Sequence, residues 1–138
     1  MKREIKFRGK VKHHGPMRNP ENGWVEGYYF QNLIQGEMRS FIFQPPCTWE
    51  VIPETAGQFT GLLDKNGKEI YEGDIVKEKL KGKRKDGDLL QICFDDYEWQ
   101  GVNCNGASTS LYLLAEFHNL EIIGNIYDNP ELLKGGAE

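Results

Sequence analysis

The sequence lacks several features that define large classes of proteins. Its 138 residues contain no run of about 18 apolar residues, so no membrane-spanning helix is predicted. The basic residues near the N-terminus are not followed by the apolar stretch of a signal peptide, and we therefore expect no export signal. Only three cysteines occur (Cys47, Cys93 and Cys104), and without an export signal they predict reduced thiols in a cytosol.

Basic residues are scarce in the C-terminal part of the chain. Residues 1–85 contain 16 Lys and Arg and 11 Asp and Glu, a net charge of +5, whereas residues 86–138 contain 1 and 10, a net charge of -9. The total of -4 argues against tight, non-specific binding to phosphate backbones. The asymmetry is consistent both with a bipolar surface that self-associates and with a solvated hairpin loop.

Short segments of alternating apolar and polar residues indicate β-strands rather than helices. Asp64-Lys65-Asn66-Gly67 predicts a hairpin turn, because Asn and Gly tolerate positive φ angles. Asn129 and Pro130 predict the cap and the first residue of a short C-terminal helix. The predicted strands include residues 4–8, 24–30, 38–44, 48–52, 58–63, 68–71, 75–76, 89–94, 97–102, 110–117 and 120–127.

About ten short strands with frequent turns predict an antiparallel barrel or sandwich with almost no helix. The stretch between Pro45 and Pro53 is the natural boundary of two parts, since proline cannot donate to a strand ladder. We therefore expect a small N-terminal β region, residues 1–53, and a C-terminal β domain, residues 54–138.

The spacing of the cysteines and of the acidic residues gives little support for a metal site or for nucleophilic catalysis. Cys47, Cys93 and Cys104 include no closely spaced pair of the kind that binds zinc, and Cys93 is predicted to be a small buried residue. The run that begins at Asp64 does not match the ligand spacing of a calcium loop in either register. We expect no metal and no cofactor.

An acidic cluster and one histidine are the remaining candidates for catalysis. The cluster Asp95-Asp96-Tyr97-Glu98 could hold a metal or supply an acid/base pair, and His118 could assist a hydrolysis. Adjacent residues of a strand point to opposite faces, so an exposed turn explains the cluster more simply. The expectation is a protein without enzymatic activity and without catalytic residues.

Alternating basic residues form a second candidate site. A strand through residues 77–85 would place most of its cations on one side, where they could follow a phosphate backbone beside a stacking aromatic residue. Gly82 interrupts this pattern, and nearby acidic residues dilute its charge. The candidate polyanion contacts are Lys77, Lys79, Lys81, Lys83, Arg84 and Lys85.

Five segments in preserved order resemble the YopX family. They are residues 3–9, 57–62, 64–67, 70–75 and 123–132. The resemblance spans nearly the whole chain, while residues 13–46 and 80–108 contribute nothing to it. Proteins of this family are encoded by phages and prophages, and their function is typically unknown.

The resemblance implies a β-rich fold whose C-terminal part is a Src-homology-3-like small barrel. It implies no catalytic or ligand-binding residue. We therefore expect a phage-derived protein in the bacterial cytoplasm that acts by binding, as an interaction module for a protein partner or a second copy of itself. The alternative is a nucleic-acid-binding accessory protein that uses residues 77–85.

The alternative predicts a salt-dependent affinity for nucleic acid. Because each neutralised phosphate releases counterions, the affinity for a labelled oligonucleotide falls steeply as the salt concentration rises. Replacing the six basic residues between Lys77 and Lys85 by glutamine abolishes this binding, as measured by fluorescence anisotropy. An affinity that does not change with salt or with these replacements contradicts the nucleic-acid hypothesis.

Overall fold

The chain folds into short β-strands, as predicted. A computed structural model describes residues 4–12, 22–79, 89–95, 97–112 and 119–134. Strands include 63% of these residues, which confirms the mainly β class. The elements are β1 (Phe7–Lys10), β2 (Trp24–Ile34), β3 (Glu37–Gln44), β4 (Cys47–Val51), a 3-10 turn (Pro53–Thr55), β5 (Gly57–Leu63), β6 (Glu69–Tyr71), β7 (Asp74–Lys79), β8 (Leu89–Asp95), β9 (Glu98–Val102), β10 (Ser108–Ser110), β11 (Asn119–Asn125) and α1 (Glu131–Lys134).

The strands form two antiparallel sheets. One has the order β4-β3-β2-β1-β5-β6 and the other the order β10-β9-β8-β7-β11. The chain divides into two compact units, Met1–Phe59 and Thr60–Glu138, and the division lies inside β5. The start of β5 pairs with β1 in unit 1, and the rest of β5 belongs to unit 2.

The hairpin of β2 and β3 is the longest paired element of unit 1. Its turn consists of Gln35 and Gly36, which both have positive φ angles (52° and 80°). Two-residue turns of this kind match the right-handed twist of the flanking strands, and glycine accepts such an angle without strain. The turn sets a continuous register that runs from Ile34 opposite Glu37 to Tyr28 opposite Phe43.

The core of unit 1 lies on one side of these strands. Val25, Ile42 and Val51 are buried there, and half-buried residues pack around them. The end of β4 returns to the end of β1, where the Lys12 N–H donates to the Glu50 carbonyl at 2.9 Å. Gly9 permits this close approach, because a Cβ atom at that position would lie 2.9 Å from the Val51 side chain.

Unit 2 has a separate apolar core. Strands β6 to β9 and β11 contribute alternate residues to it, as expected for strands with one buried face. Leu111, which follows β10, completes the cluster. Its buried members are Ile70, Val76, Leu90, Ile92, Trp99, Leu111 and Leu120.

The predicted hairpin turn at residues 64–67 is confirmed, and its first residue has a further structural role. The Asp64 side chain is 6% exposed. One of its carboxylate oxygens accepts hydrogen bonds from the N–H groups of Asn66 and Lys68 (2.8 and 2.9 Å). The other accepts one from the N–H of Ile122 at 3.1 Å. Asp64 therefore joins the β5–β6 turn to β11, which is distant in sequence.

Several local predictions differ from the structure. The first strand spans Phe7–Lys10 rather than residues 4–8, and β10 includes two residues, Ser108 and Thr109, outside the predicted strands. The strand predicted over residues 110–117 is wrong at Leu111 and Tyr112, which are helical, while residues 113–118 lie outside the described residues. Helix α1 begins at Glu131, one residue later than predicted. The side-chain oxygen of Asn129 accepts a hydrogen bond from the N–H of Asn125 at 3.3 Å, and it thereby closes the loop before the helix.

The finer fold prediction is not confirmed. The described strands form no closed barrel, so a Src-homology-3-like barrel remains a proposal. The domain boundary after Pro53 stays a prediction. No helix within the described ranges is long and apolar enough to cross a membrane.

The three bonds of Asp64 predict a large effect on stability. Replacing Asp64 by Ala leaves three backbone donors without their partner and lowers the free energy of unfolding by about 2–4 kcal/mol, while Asn costs less because it keeps one acceptor oxygen. Urea denaturation measures the change. Lys65→Ala is the control, because this side chain is exposed and its backbone bond to Leu120 is retained. Equal stability of the Asp64 and Lys65 variants contradicts the role assigned to the carboxylate.

Candidate binding surface

The side of β2 and β3 that faces away from the core of unit 1 is aromatic. Because side chains alternate along a strand, Tyr29 and Ile42 point to the core, and their neighbours point outward. The sequence places an aromatic residue at four of these outward positions. We call this set the aromatic face: Tyr28, Phe30, Phe41 and Phe43.

The register of the hairpin arranges the aromatic face as two cross-strand pairs. Tyr28 and Phe43 stack with their ring centroids 6.4 Å apart, and Phe30 and Phe41 stack at 5.2 Å. Each pair contributes roughly 0.2–1 kcal/mol to the hairpin. The rings nevertheless remain in contact with water, since Tyr28 is 64% exposed, Phe30 39% and Phe43 37%. A cluster of large exposed aromatic side chains on a folded protein is typical of a contact surface.

Gly27 brings the two strands close together beside this surface. A Cβ atom at this position would collide with the carbonyl oxygen of Phe43. Only glycine therefore allows the pairing that begins with Tyr28 opposite Phe43.

Positive charges lie on the strand next to the aromatic face. Arg8 lies opposite Glu26 and 4.8 Å above the ring of Trp24, so it shares the outward side of the sheet. Lys6 lies 5.3 Å from the centre of the Phe59 ring. We call the alternate cations of β1 and of the residues directly before and after it the basic row: Lys6, Arg8, Lys10 and Lys12.

Ion pairs also lie beside the aromatic face, on β3 and β4. Glu50 lies opposite Phe41 and is bridged by Lys12 at 3.4 Å and by Arg39 at 3.7 Å. Arg39 also lies 3.8 Å from Glu37. The surroundings of the aromatic face thus carry both signs of charge, and most of the positive groups belong to the basic row.

The basic segment predicted from the sequence is described only at its start. Lys77 lies in β7 opposite Leu89 and Glu121, and it is half-buried. Lys79 ends the strand opposite Asn119, and its side chain is outside the described part. Lys81, Lys83, Arg84 and Lys85 also lie outside the described residues, so their alignment as a polyanion site stays a prediction.

The acidic cluster lies at a hairpin turn. Asp95 and Glu98 are opposite each other at the ends of β8 and β9, and Tyr97 stands in the turn between them. Asp96 and His118 lie outside the described residues. Within the described ranges, no group of three or more His, Cys, Asp or Glu side chains is placed to hold a metal ion.

Cys93, which the sequence predicts to be buried, is only half-buried in β8 near this hairpin. Burial raises its pKa above the ordinary value, and the carboxylates of Asp95 and Glu72 raise the pKa further. The thiolate is the nucleophilic form of cysteine, so a raised pKa disfavours nucleophilic chemistry at neutral pH. All three cysteines are free thiols.

Sequence reasoning missed the aromatic face as a whole. The alternation of Tyr28 with Phe30, and of Phe41 with Phe43, was the available signal. It does not by itself tell which side of each strand is buried. The two segments also had to be paired before the four rings could form one surface.

Comparisons with known proteins find one family model and similar solved structures. A family model described as YopX protein matches residues 6–134. The crystal structure of protein yopX from Bacillus subtilis is similar to the chain, with a TM-score of 0.54 and 16% sequence identity over 96% of this chain and 97% of that chain. An Enterococcus faecalis crystal structure has a TM-score of 0.49 and 24% identity over 94% and 98%. No curated protein matches the chain. At 16% identity the Bacillus subtilis structure indicates the shared fold alone.

The environment of Cys93 predicts a pH dependence of its reactivity. In a Cys47→Ser/Cys104→Ser variant, the rate of reaction with a thiol-specific disulfide reagent continues to rise at pH values where free cysteine levels off, because the raised pKa delays formation of the thiolate. Stopped-flow measurements against pH determine the profile. Asp95→Asn removes one of the two carboxylates that raise the pKa of Cys93, and it therefore shifts the profile to lower pH. A profile that levels off at or below the pH of free cysteine contradicts this assignment.

Proposed function

The chain belongs to the YopX family, and we propose that it is a non-enzymatic interaction module that associates with a second copy of itself. The observation that carries this proposal is the exposure of the aromatic face on unit 1. Its four rings are already ordered by the hairpin, so little conformational entropy is lost when a partner covers them.

The composition of the surface fits a protein interface. Tyr, Phe, Trp and Arg are enriched where proteins bind each other, and Tyr, Trp and Arg dominate the binding energy. The aromatic face with Trp24 and Arg8 beside it contains all four residue types. Ion pairs at its border, such as Arg39 with Glu50, are typical of a polar rim.

The distribution of charge supports a second copy as the partner. Residues 1–85 carry a net charge of +5 and residues 86–138 a net charge of -9, so each chain contains segments of both signs. Two copies can therefore attract each other although both carry a net charge of -4.

Two observations support binding rather than catalysis. Asp95 and Glu98 flank a turn whose central residue is exposed, and an exposed turn keeps carboxylates in water. The pKa of Cys93 is raised, which keeps its thiol in the unreactive form.

Family membership supports three finer proposals. The C-terminal domain, residues 54–138, forms a Src-homology-3-like small barrel, the protein is of phage or prophage origin, and it acts in the bacterial cytoplasm. These proposals rest on the resemblance to the YopX family rather than on the geometry of the aromatic face.

A second candidate function is nucleic-acid binding. The arrangement that favours it is the basic row beside exposed aromatic rings, since single-stranded nucleic acids bind to positive grooves with stacking platforms. Residues 77–85 would add further cations. The acidic groups Glu26, Glu37 and Glu50 lie near the same rings and make this candidate the weaker of the two.

Removing two rings of the aromatic face is expected to abolish self-association. The wild-type chain is expected to show a mass above 15.9 kDa in multi-angle light scattering, and this mass should rise with concentration. Tyr28→Thr/Phe30→Thr returns the chain to a monomer, because threonine preserves the strand and removes the apolar contact area.

The control for this measurement is Leu63→Thr. Leu63 is 55% exposed and lies in β5 of unit 2, so its replacement also removes exposed apolar area from a strand. Leu63→Thr is expected to keep the wild-type mass. A monomeric wild type, or an unchanged mass after the two replacements on the aromatic face, contradicts the proposed function.

A further inference from the structure

The β8–β9 hairpin ends in an aromatic residue that is almost completely exposed. Tyr97 has 97% of its surface in contact with water, and Phe94, at the end of β8, has 52%. The ring of Phe94 contacts the buried Trp99 edge-to-face at 5.0 Å, which holds its position. We call Phe94, Asp95, Tyr97 and Glu98 the acidic hairpin.

The backbone at Tyr97 is unfavourable for the residue that occupies it. Its φ angle is 63°, and a bulky side chain in this left-handed region costs roughly 1–2 kcal/mol. Glycine or asparagine would adopt this φ angle at a lower energetic cost. Folding alone therefore does not explain a tyrosine whose ring contributes no buried area to its own chain.

The acidic hairpin and the aromatic face of unit 1 complement each other chemically. The hairpin presents the exposed rings of Phe94 and Tyr97 next to the carboxylates of Asp95 and Glu98. The aromatic face presents exposed rings beside the positive groups of the basic row. Apolar groups can thus meet apolar groups while carboxylates meet cations, as in specific protein interfaces.

We propose that the acidic hairpin of one copy packs on the aromatic face of the next copy. This inference rests on the proposed function and adds to it the second surface of the contact. Tyr97 is the central anchor, and Asp95 and Glu98 lie toward the basic row, where Arg8 stacks over Trp24.

Two different surfaces permit a head-to-tail assembly. In a head-to-tail contact, each copy keeps one unused surface after pairing. Assembly then continues until a ring closes or a filament grows. Because the charges lie at the border of the contact, association weakens as the salt concentration rises.

Tyr97→Gly is the first test variant. Glycine accepts the φ angle of 63° without strain, so the monomer is expected to be at least as stable as the wild type in urea denaturation. Its self-association is expected to weaken by roughly tenfold or more, because an interface anchor is lost. Tyr112→Ala is the matched control, since Tyr112 is 51% exposed but lies outside the hairpin.

Mixing two defective variants tests the head-to-tail arrangement. Tyr97→Gly keeps an intact aromatic face, and Tyr28→Thr/Phe30→Thr keeps an intact acidic hairpin. At a concentration at which each variant alone is monomeric, an equimolar mixture is expected to form heterodimers and no larger species in light scattering. A contact between two identical surfaces would not be restored by mixing.

The outcomes separate this inference from the proposed function. If Tyr97→Gly assembles like the wild type while the aromatic-face variant is monomeric, the hairpin contact is overturned and self-association through the aromatic face stands. If the wild type is monomeric at all concentrations, both are overturned. If a labelled single-stranded oligonucleotide binds the aromatic face without dissociating any assembly of the protein, nucleic acid is the partner and the hairpin contact is overturned. Heterodimers from the mixture support the inference.

Discussion

The register of the β2–β3 hairpin is the constraint on which the candidate surface depends. Gln35 and Gly36 form a two-residue turn with positive φ angles, and this turn places Tyr28 opposite Phe43 and Phe30 opposite Phe41. Because side chains alternate along a strand, a shift of one residue would turn these rings into the core and expose Ile42. The same register that builds the core of unit 1 therefore builds the aromatic face.

The two units stabilise their candidate contact segments in different ways. In unit 1, the core residues Val25, Ile42 and Val51 hold the strands that display the aromatic face. In unit 2, Asp64 joins a local turn to β11 by hydrogen bonds, and the buried Trp99 supports Phe94 at the acidic hairpin. Both surfaces are thus attached to ordered strands, which keeps the entropic cost of binding low. In the proposed contact, the carboxylates of the acidic hairpin would face the cations of the basic row, which would let a chain with a net charge of -4 attract its own copies.

Much of the fold was predictable, because strands and tight turns leave local signals. The alternation in residues 38–44 predicted β3, and the turn at residues 64–67 was identified from Asn66 and Gly67. The error at Leu111 and Tyr112 arose from a segment whose apolar residues fit both periods. The aromatic face could not be predicted as a unit, since its four residues come from two strands whose pairing depends on a turn, Gln35-Gly36, that carries a weaker signal than Asn-Gly.

Local chemistry alone determined the β class, the positions of most strands, the turn at Asp64 and the opposite charges of the two parts of the chain. These properties depend on neighbours in sequence, through side-chain alternation, φ preferences and simple summation of charge. The tertiary structure decided which side of β2 and β3 is buried, that the Asp64 carboxylate binds the N–H of Ile122, and that Tyr97 projects into water. Each of these depends on contacts between segments far apart in the chain. The packing of the whole sheet selects one arrangement from several that are equally compatible with the local sequence pattern.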